Sequence, residues 1–169
     1  HGASFSVPRG KVVALVGDGS YVMLHSELLT SIREGLKINV LVFDNSGFQC
    51  IDNLQVSQGI TKYGNEWRRR DPKTGLLTGD PVPISFAGNG ESYGARGFTV
   101  RTLEELRDAV RQALRETRST VIDLKVTPKS MTGGYEAWWR VGTAEVSANP
   151  AVVEASRRQK AEVAKARPV

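Results

Sequence analysis

Two short apolar runs, both rich in β-branched residues, limit the folds open to this chain more than any other feature. The first spans Lys11–Val16 and the second spans Ile38–Phe43. Runs of this length and composition are typical of strands that a parallel sheet buries on both faces. Apolar residues at helical spacing lie between them, namely Tyr21, Leu24, Leu28 and Ile32, and Gly35 supplies a stop signal. The pattern predicts a strand–helix–strand unit with a right-handed crossover.

The rest of the chain continues this alternation of strands and helices. The patterns predict a short helix over Ser85–Tyr93, a strand over Gly97–Val100 and a buried strand over Thr120–Val126. A clear amphipathic helix begins after Thr102, with Glu105 placed to complete a capping box. Its apolar positions are Leu103, Leu106, Val110 and Leu114. Alternating elements of this kind predict a doubly wound α/β fold, with a mainly parallel sheet and flanking helices.

Composition shifts suggest how the chain is divided. Residues 1–10 match no recognisable pattern and form a possible junction, and residues 11–128 form the α/β domain. Within that domain, Gly59–Pro83 is rich in Gly, Pro, Asp and Arg and is long for a connection, as binding loops and lids are. Residues 129–169 form a C-terminal extension that holds the aromatic stretch Met131–Val146 and a largely polar surface helix from about Pro150 to Lys165.

Charge, hydropathy and cysteine content exclude several classes of protein. The net charge is +5, but the sequence has no aromatic-interleaved basic stripe and no zinc-ligand spacing, so nucleic acid is not expected as a partner. No apolar run approaches the roughly 20 residues of a membrane span, so we expect no membrane association. A single cysteine, Cys50, precludes an internal disulfide framework and favours a cytoplasmic location.

Polar residues follow both of the first two predicted strands. The first strand ends in Gly17-Asp18-Gly19-Ser20, and the second ends in Asp44-Asn45-Ser46-Gly47. In open α/β sheets, ligands bind beyond the carboxyl ends of the strands. Mg²⁺ prefers oxygen ligands and is usually held by few protein groups together with phosphates. A carboxylate from Asp18, a carbonyl from Asn45 and the Gly47 backbone carbonyl therefore predict an Mg²⁺ ion that holds a diphosphate.

Either turn alone is weak evidence, but the pair resembles the cofactor motif of thiamine-diphosphate-dependent enzymes. That resemblance implies that Asp18, Asn45 and the Gly47 carbonyl bind Mg²⁺. It also implies a cofactor-binding set made up of Gly17, Asp18, Gly19, Ser20, Tyr21, Asn45, Gly47 and Phe48. Glycines allow the backbone to approach the diphosphate closely, and helix N-terminal amides near Ser20 and Tyr21 favour an anion. An ordinary nucleotide-binding turn is the alternative interpretation of these residues.

Further residues narrow the resemblance to one branch of these enzymes. Met23–Leu28, Phe43–Phe48, Tyr63-Gly64 with Glu66, and above all Gly134–Gly142 resemble the 3D-(3,5/4)-trihydroxycyclohexane-1,2-dione hydrolases of inositol catabolism. This implies hydrolysis of a C–C bond in a small polyhydroxy dione, with thiamine diphosphate and Mg²⁺ as cofactors. It also implies a homo-oligomer whose activating glutamate lies in a separate pyrimidine-binding domain, so that this chain is inactive alone.

Two alternative functions remain open, and several further side chains are candidates for a functional site. The chain could belong to another thiamine-dependent carboligase or decarboxylase, such as an acetolactate-synthase-like protein, or be a non-catalytic α/β interaction module. The side chains that could act in a site, each with a structural alternative, are His25, Glu27, Cys50, Tyr63, Glu66, Trp67, Arg68–Arg70, Trp138 and Trp139.

Overall fold

Four parallel strands form the framework of the protein, whose structure is a computed structural model that describes residues 2–130 and 142–165. The strands are β1 Val12–Gly17, β2 Ile38–Asp44, β3 Arg96–Val100 and β4 Thr120–Lys125, in the spatial order β1-β2-β4-β3. All neighbouring pairs are parallel. The expected doubly wound α/β fold is therefore confirmed, and the order places β4 beside β2.

Seven helices accompany the strands in the described part of the chain. They are α1 Gly2–Ser6, α2 Asp18–Leu24, α3 Glu27–Arg33, α4 Gln49–Ser57, α5 Phe86–Ser92, α6 Leu103–Arg115 and α7 Pro150–Lys165. The chain divides into two compact units, one made of His1–Phe48 with Val82–Pro128 and the other of Gln49–Pro81 with Lys129–Val169. The sheet belongs to the first unit.

The two faces of the sheet carry separate hydrophobic clusters. On one face, α2, α3 and α5 contribute Tyr21, Leu28 and Phe86, which pack with Val40, Val42 and Val121. On the other face, Ala109 and Ala113 of α6 pack with Ile122. Because successive residues of a strand point to opposite faces, the neighbours Val121 and Ile122 each anchor one cluster. Val13 and Leu15 of β1 stay 49% and 65% exposed.

The sequence patterns located most elements but misjudged the first crossover. The helix expected between β1 and β2 is two short helices, joined at His25 and Ser26, so the apolar periodicity does not run unbroken. Leu24 is consequently 68% exposed, although its spacing predicts a core position. Gly35 ends α3 with a positive φ of 64°, as its stop signal predicts. Helices α1 and α4 carry too weak a pattern and were not predicted.

The second unit contains α4, α7 and the long loop between α4 and residue 81. Within that loop, Arg68 and Pro81 form an antiparallel bridge, and the Arg69 amide donates to the Asp80 carbonyl at 2.9 Å. The polar helix α7 buries Val152, Ala155 and Ser156 and exposes most of its other residues. Tyr135, Trp138 and Trp139, with nearly all of Gly134–Gly142, lie outside the described residues.

Candidate metal and diphosphate site

The carboxyl ends of β1 and β2 bring the two predicted turns together. The strands pair in register through Gly17 and Phe43, so the residues that follow each strand lie at the same edge of the sheet. Asp18 opens α2 directly after β1, and Asp44 closes β2 immediately before Asn45. Because Asp18 and Asn45 directly follow the ends of their strands, the sheet restricts the positions that their side chains can take.

Asp18 is the buried centre of this site. Its side chain is only 1% exposed, and one oxygen, Oδ2, accepts the Gly47 backbone N–H at 2.7 Å. The other oxygen, Oδ1, accepts the Gly19 N–H at 2.8 Å. These two hydrogen bonds fix the orientation of the carboxylate and tie the turn after β2 to the start of α2.

The side-chain amide of Asn45 and the carbonyl of Gly47 lie beside Asp18. One terminal atom of the Asn45 amide lies 3.1 Å from Asp18 Oδ1 and 2.8 Å from the Gly47 carbonyl oxygen. A nitrogen at that position donates two hydrogen bonds, whereas an oxygen there faces two acceptors and needs a cation between them. With metal–oxygen distances of about 2.0–2.1 Å, adjacent ligands of octahedral Mg²⁺ lie about 2.9 Å apart. The spacing of these atoms therefore fits two ligand edges around Mg²⁺.

The backbone of the turn is held in an uncommon conformation. Ser46 has a φ of 66° and Gly47 a φ of 144°, both in the region that favours glycine. Asp44 Oδ1 accepts the Ser46 N–H at 3.0 Å, which forms a local side-chain-to-backbone turn. This bond stabilises the positive φ of Ser46, and the conformation turns the Gly47 N–H toward Asp18.

The glycines and aromatic residues of the motif have different surroundings. A Cβ on Gly17 would meet nothing within 4 Å, whereas one on Gly19 would lie 2.5 Å from two carbons of the Phe48 ring. Gly19 is therefore required by packing within the protein itself. Ser20 is exposed, and Tyr21 is buried with its hydroxyl donating to Asn89 Oδ1 at 2.8 Å. Burial, with the charges of Tyr93 and Asp123, raises the pKa of Tyr21 to about 12.

A charged network beside the site was missed by the sequence analysis. Lys125, at the end of β4, contacts Asp44 Oδ2, lies 2.9 Å from Asp123 Oδ2 and donates to the Ile84 carbonyl at 2.8 Å. Burial alone lowers the pKa of Lys125, but its hydrogen bonds to Asp44 and Asp123 outweigh burial and raise it. The available signal was the presence of Asp123 and Lys125 in a strand expected to be buried, since a buried charge needs a partner.

Several of the other candidate side chains have structural partners, and others are exposed. His25 Nδ1 lies 2.8 Å from the Tyr93 hydroxyl, and its ring stacks between those of Tyr21 and Tyr93. In the second unit, Glu66 pairs with Lys62 at 2.7 Å and with Arg68 at 3.2 Å. Cys50 and Tyr63 are exposed. Arg70 contacts the Gly75 carbonyl, so the arginine run is partly engaged within its own loop.

In residues 2–130 and 142–165, no three His, Cys, Asp or Glu side chains cluster as metal ligands. No helix in the same ranges has both the length and the hydropathy that crossing a bilayer requires.

Comparison with known proteins identifies the relatives of this chain. Residues 1–124 match the family described as "Thiamine pyrophosphate enzyme, C-terminal TPP binding domain". Over 94% of its length, the chain is 51% identical to a 3D-(3,5/4)-trihydroxycyclohexane-1,2-dione hydrolase of Clostridium botulinum (strain Alaska E43 / Type E3), of which it covers 25%. A protein of the same name from Clostridium tetani (strain Massachusetts / E88) is 49% identical over 93% of the chain, which covers 24% of it. The chain thus spans about a quarter of the length of these relatives.

Solved structures share the fold. A thiamine diphosphate-dependent 4-hydroxybenzoylformate decarboxylase from Rhodococcus jostii RHA1 has a TM-score of 0.59 at 23% identity, covering 77% of this chain and 22% of its own. A benzoylformate decarboxylase from Polynucleobacter necessarius has a TM-score of 0.55 at 25% identity, covering 72% and 20%. The likeness extends over most of the chain and concerns its architecture.

Proposed function

Because the chain belongs to the thiamine pyrophosphate enzymes, as their C-terminal TPP-binding domain, we propose that it supplies the Mg²⁺ and diphosphate site of a C–C bond hydrolase. The intact protein opens a cyclic trihydroxy-1,2-dione in inositol catabolism. Support for the reaction comes from relatives of that name at 51% and 49% identity over most of this chain.

One observation carries the metal assignment. The Asn45 amide faces both Asp18 Oδ1 and the Gly47 carbonyl at the spacing of octahedral ligand edges. In this arrangement Asp18 provides the negative charge, while Asn45 and Gly47 provide neutral oxygens. Diphosphate oxygens and water complete the shell, because Mg²⁺ is usually bound by few protein groups plus phosphates.

Each of the remaining motif residues has a distinct task toward the cofactor. Gly17 leaves open space beside the backbone, and exposed Ser20 can offer its hydroxyl and amide to the diphosphate. Phe48 and Gly19 pack against each other and hold the turn against α2. When bound, thiamine diphosphate acts as the electron sink that allows a bond beside a carbonyl to break. The protein's part in this region is to bind and orient the cofactor.

Activation requires another part of the protein. We infer that a pyrimidine-binding domain, in the same or a neighbouring subunit of a cytoplasmic homo-oligomer, supplies the activating glutamate. The exposed apolar side chains of Val13 and Leu15 on β1 support a covering partner, since large exposed apolar patches mark interaction sites. The 169-residue chain by itself should therefore bind without turning over.

The test is metal-dependent stabilisation by the cofactor. Thermal unfolding is measured with thiamine diphosphate plus Mg²⁺, and again with EDTA. A ligand at about 1,000 times its dissociation constant adds about 4 kcal/mol to the free energy of unfolding. We expect this gain in the parent protein and its loss in Asp18→Asn, which removes the charge while keeping the shape.

A matched control separates metal binding from general destabilisation. Asp52 is also a fully buried carboxylate, paired with Lys129 in the second unit. Asp52→Asn should lower the unfolding temperature without removing the Mg²⁺-dependent gain. An Asp18→Asn protein that keeps the full gain would show that the metal is bound elsewhere.

A further inference from the structure

We propose that Lys125 is a positioning residue for the Mg²⁺ site, acting through Asp44 on the turn that carries Asn45 and Gly47. The inference rests on the proposed function, because it concerns the same metal site. Lys125 comes from β4, far along the chain from both predicted turns, and contacts Asp44, Asp123 and the Ile84 carbonyl. The effect that we propose passes through Asp44.

First, the ammonium group of Lys125 is held in place by neighbouring oxygen atoms of the protein. An ammonium group has three N–H donors, and three oxygens surround Nζ: Asp44 Oδ2, Asp123 Oδ2 and the Ile84 carbonyl. The Phe86 ring covers the same group at 5.6 Å from its centroid. With its donors committed and its side chain only 21% exposed, Lys125 is held in one orientation and is not offered to a phosphate.

The second step is the orientation of Asp44. Lys125 engages Oδ2 of this carboxylate, which leaves Oδ1 to accept the Ser46 N–H at 3.0 Å. A buried carboxylate that loses a paired cation carries a less compensated charge and tends to reorient toward water. Lys125 therefore keeps Asp44 in the rotamer that holds the Ser46 amide.

The third step links that turn to the metal donors. Ser46 stands at a φ of 66°, which a residue other than glycine adopts at a cost. Held there, it lets the next amide, Gly47 N–H, reach Asp18 Oδ2 at 2.7 Å. The same turn sets the Asn45 amide 2.8 Å from the Gly47 carbonyl oxygen. Release of Asp44 would loosen two of the three oxygen donors together.

The backbone of β2 does not depend on this side-chain contact. Asp44 and Lys125 are register partners in the sheet, and the Val126 N–H donates to the Asp44 carbonyl at 3.0 Å. Variants of Lys125 should therefore keep the end of β2 in place. What they lose is the side-chain control of the turn.

The experiment is an Mg²⁺ titration of the intact protein at fixed, saturating thiamine diphosphate. The dissociation constant is measured by calorimetry in the parent, in Lys125→Met, in Asp44→Asn and in the double variant. A parallel titration with Mn²⁺ follows the paramagnetic resonance signal of the free ion. Loss of a partner that orients a metal ligand typically weakens metal affinity by about 10- to 100-fold, and we expect a change of that size in both single variants.

The double variant and a control distinguish positioning from loss of stability. If Lys125 acts through Asp44, the double variant should bind Mg²⁺ no more weakly than the weaker single variant. Lys37 is the matched control, because it is 5% exposed and donates to the Ala113 carbonyl of α6 at 2.7 Å. Lys37→Met should lower stability and leave the dissociation constant within about twofold.

Two results would overturn the proposal: the first refutes the role of Lys125 only, and the second refutes the metal site as well. Unchanged Mg²⁺ affinity in Asp44→Asn and Lys125→Met, with weakened affinity in Asp18→Asn, would refute the role of Lys125 alone. Equal affinity in the parent and Asp18→Asn would refute the metal site and this inference together. Should Lys125→Met fail to fold, the shape-preserving Asp44→Asn decides the question.

Discussion

Replacing Gly19 by alanine should disturb the candidate site through packing. The new methyl would lie 2.5 Å from Cδ1 and Cε1 of Phe48 and 3.0 Å from its Cγ. Contacts this short require the ring or α2 to move. Phe48 directly follows Gly47, so a shift of the ring also strains the bond between the Gly47 N–H and Asp18.

The size of the effect follows from two opposing contributions. Overpacking of this kind costs about 1–3 kcal/mol, whereas alanine gains up to about 1 kcal/mol over glycine within a helix. We therefore expect Gly19→Ala to lower the free energy of unfolding by up to about 2 kcal/mol. For a chain of this size that corresponds to a fall of up to about 8 °C in the unfolding temperature.

The assay is thermal unfolding in EDTA without cofactor, performed also in a Phe48→Ala background. Removing the ring clears all three close contacts, so the added methyl should then be neutral or stabilising by up to about 1 kcal/mol. The effect of the same substitution should reverse in sign between the two backgrounds. An equal loss in both would refute the packing argument. An effect seen only on cofactor binding would mean that the diphosphate, rather than Phe48, requires glycine here.

Two further predictions concern stability away from the site. Thr102→Ala removes the N-cap of α6, where the Thr102 hydroxyl accepts the Glu105 N–H at 3.2 Å. We expect the free energy of unfolding, measured by urea unfolding, to fall by about 1 kcal/mol. An unchanged unfolding midpoint would contradict this prediction. Glu66→Gln concerns acid stability. Burial raises the pKa of Glu66, but three neighbouring basic side chains outweigh it and hold the pKa below its ordinary 4.5. Such a carboxyl contributes stability above its unfolded pKa and loses it as the pH falls through the folded value. The stability advantage of the parent over Glu66→Gln should therefore shrink below about pH 4.5, and an advantage that is independent of pH would exclude this role.

The sequence predicted those parts of the fold that short-range patterns control. The capping box of Thr102 and Glu105 is present in full, because both residues belong to one helical turn. The strands β1 and β2 lie where their apolar runs predict. Periodicity failed at Leu24, because the crossover helix is interrupted at His25 and Ser26. Helix α4 gave no clear signal, since its apolar residues Ile51 and Val56 are about half exposed.

The candidate site shows the same division between local and long-range information. The meeting of Asp18, Asn45 and Gly47 at one edge of the sheet could be predicted, because these residues lie two to four positions beyond the end of an apolar run. The structure adds that the Gly47 amide also binds Asp18, which sequence spacing alone does not indicate. Lys125 could not be assigned a partner, because its contact with Asp44 depends on β4 lying next to β2. Sheet order is a property of the whole fold.

Because of this strand order, Asp18 and the turn that carries Asn45 are contacted by different parts of the chain. Asp18 is held by backbone amides from its own helix and from the neighbouring turn, all within residues 18–47. In the turn that carries Asn45, Asp44 also contacts Lys125, which reaches it because β4 lies beside β2. A segment containing β1 and β2 alone would carry all three proposed oxygen donors and still lack that cation. Under the proposed function, the two-turn motif specifies which atoms bind the metal, and the distant strand β4 supplies the residue that positions the turn of Asn45.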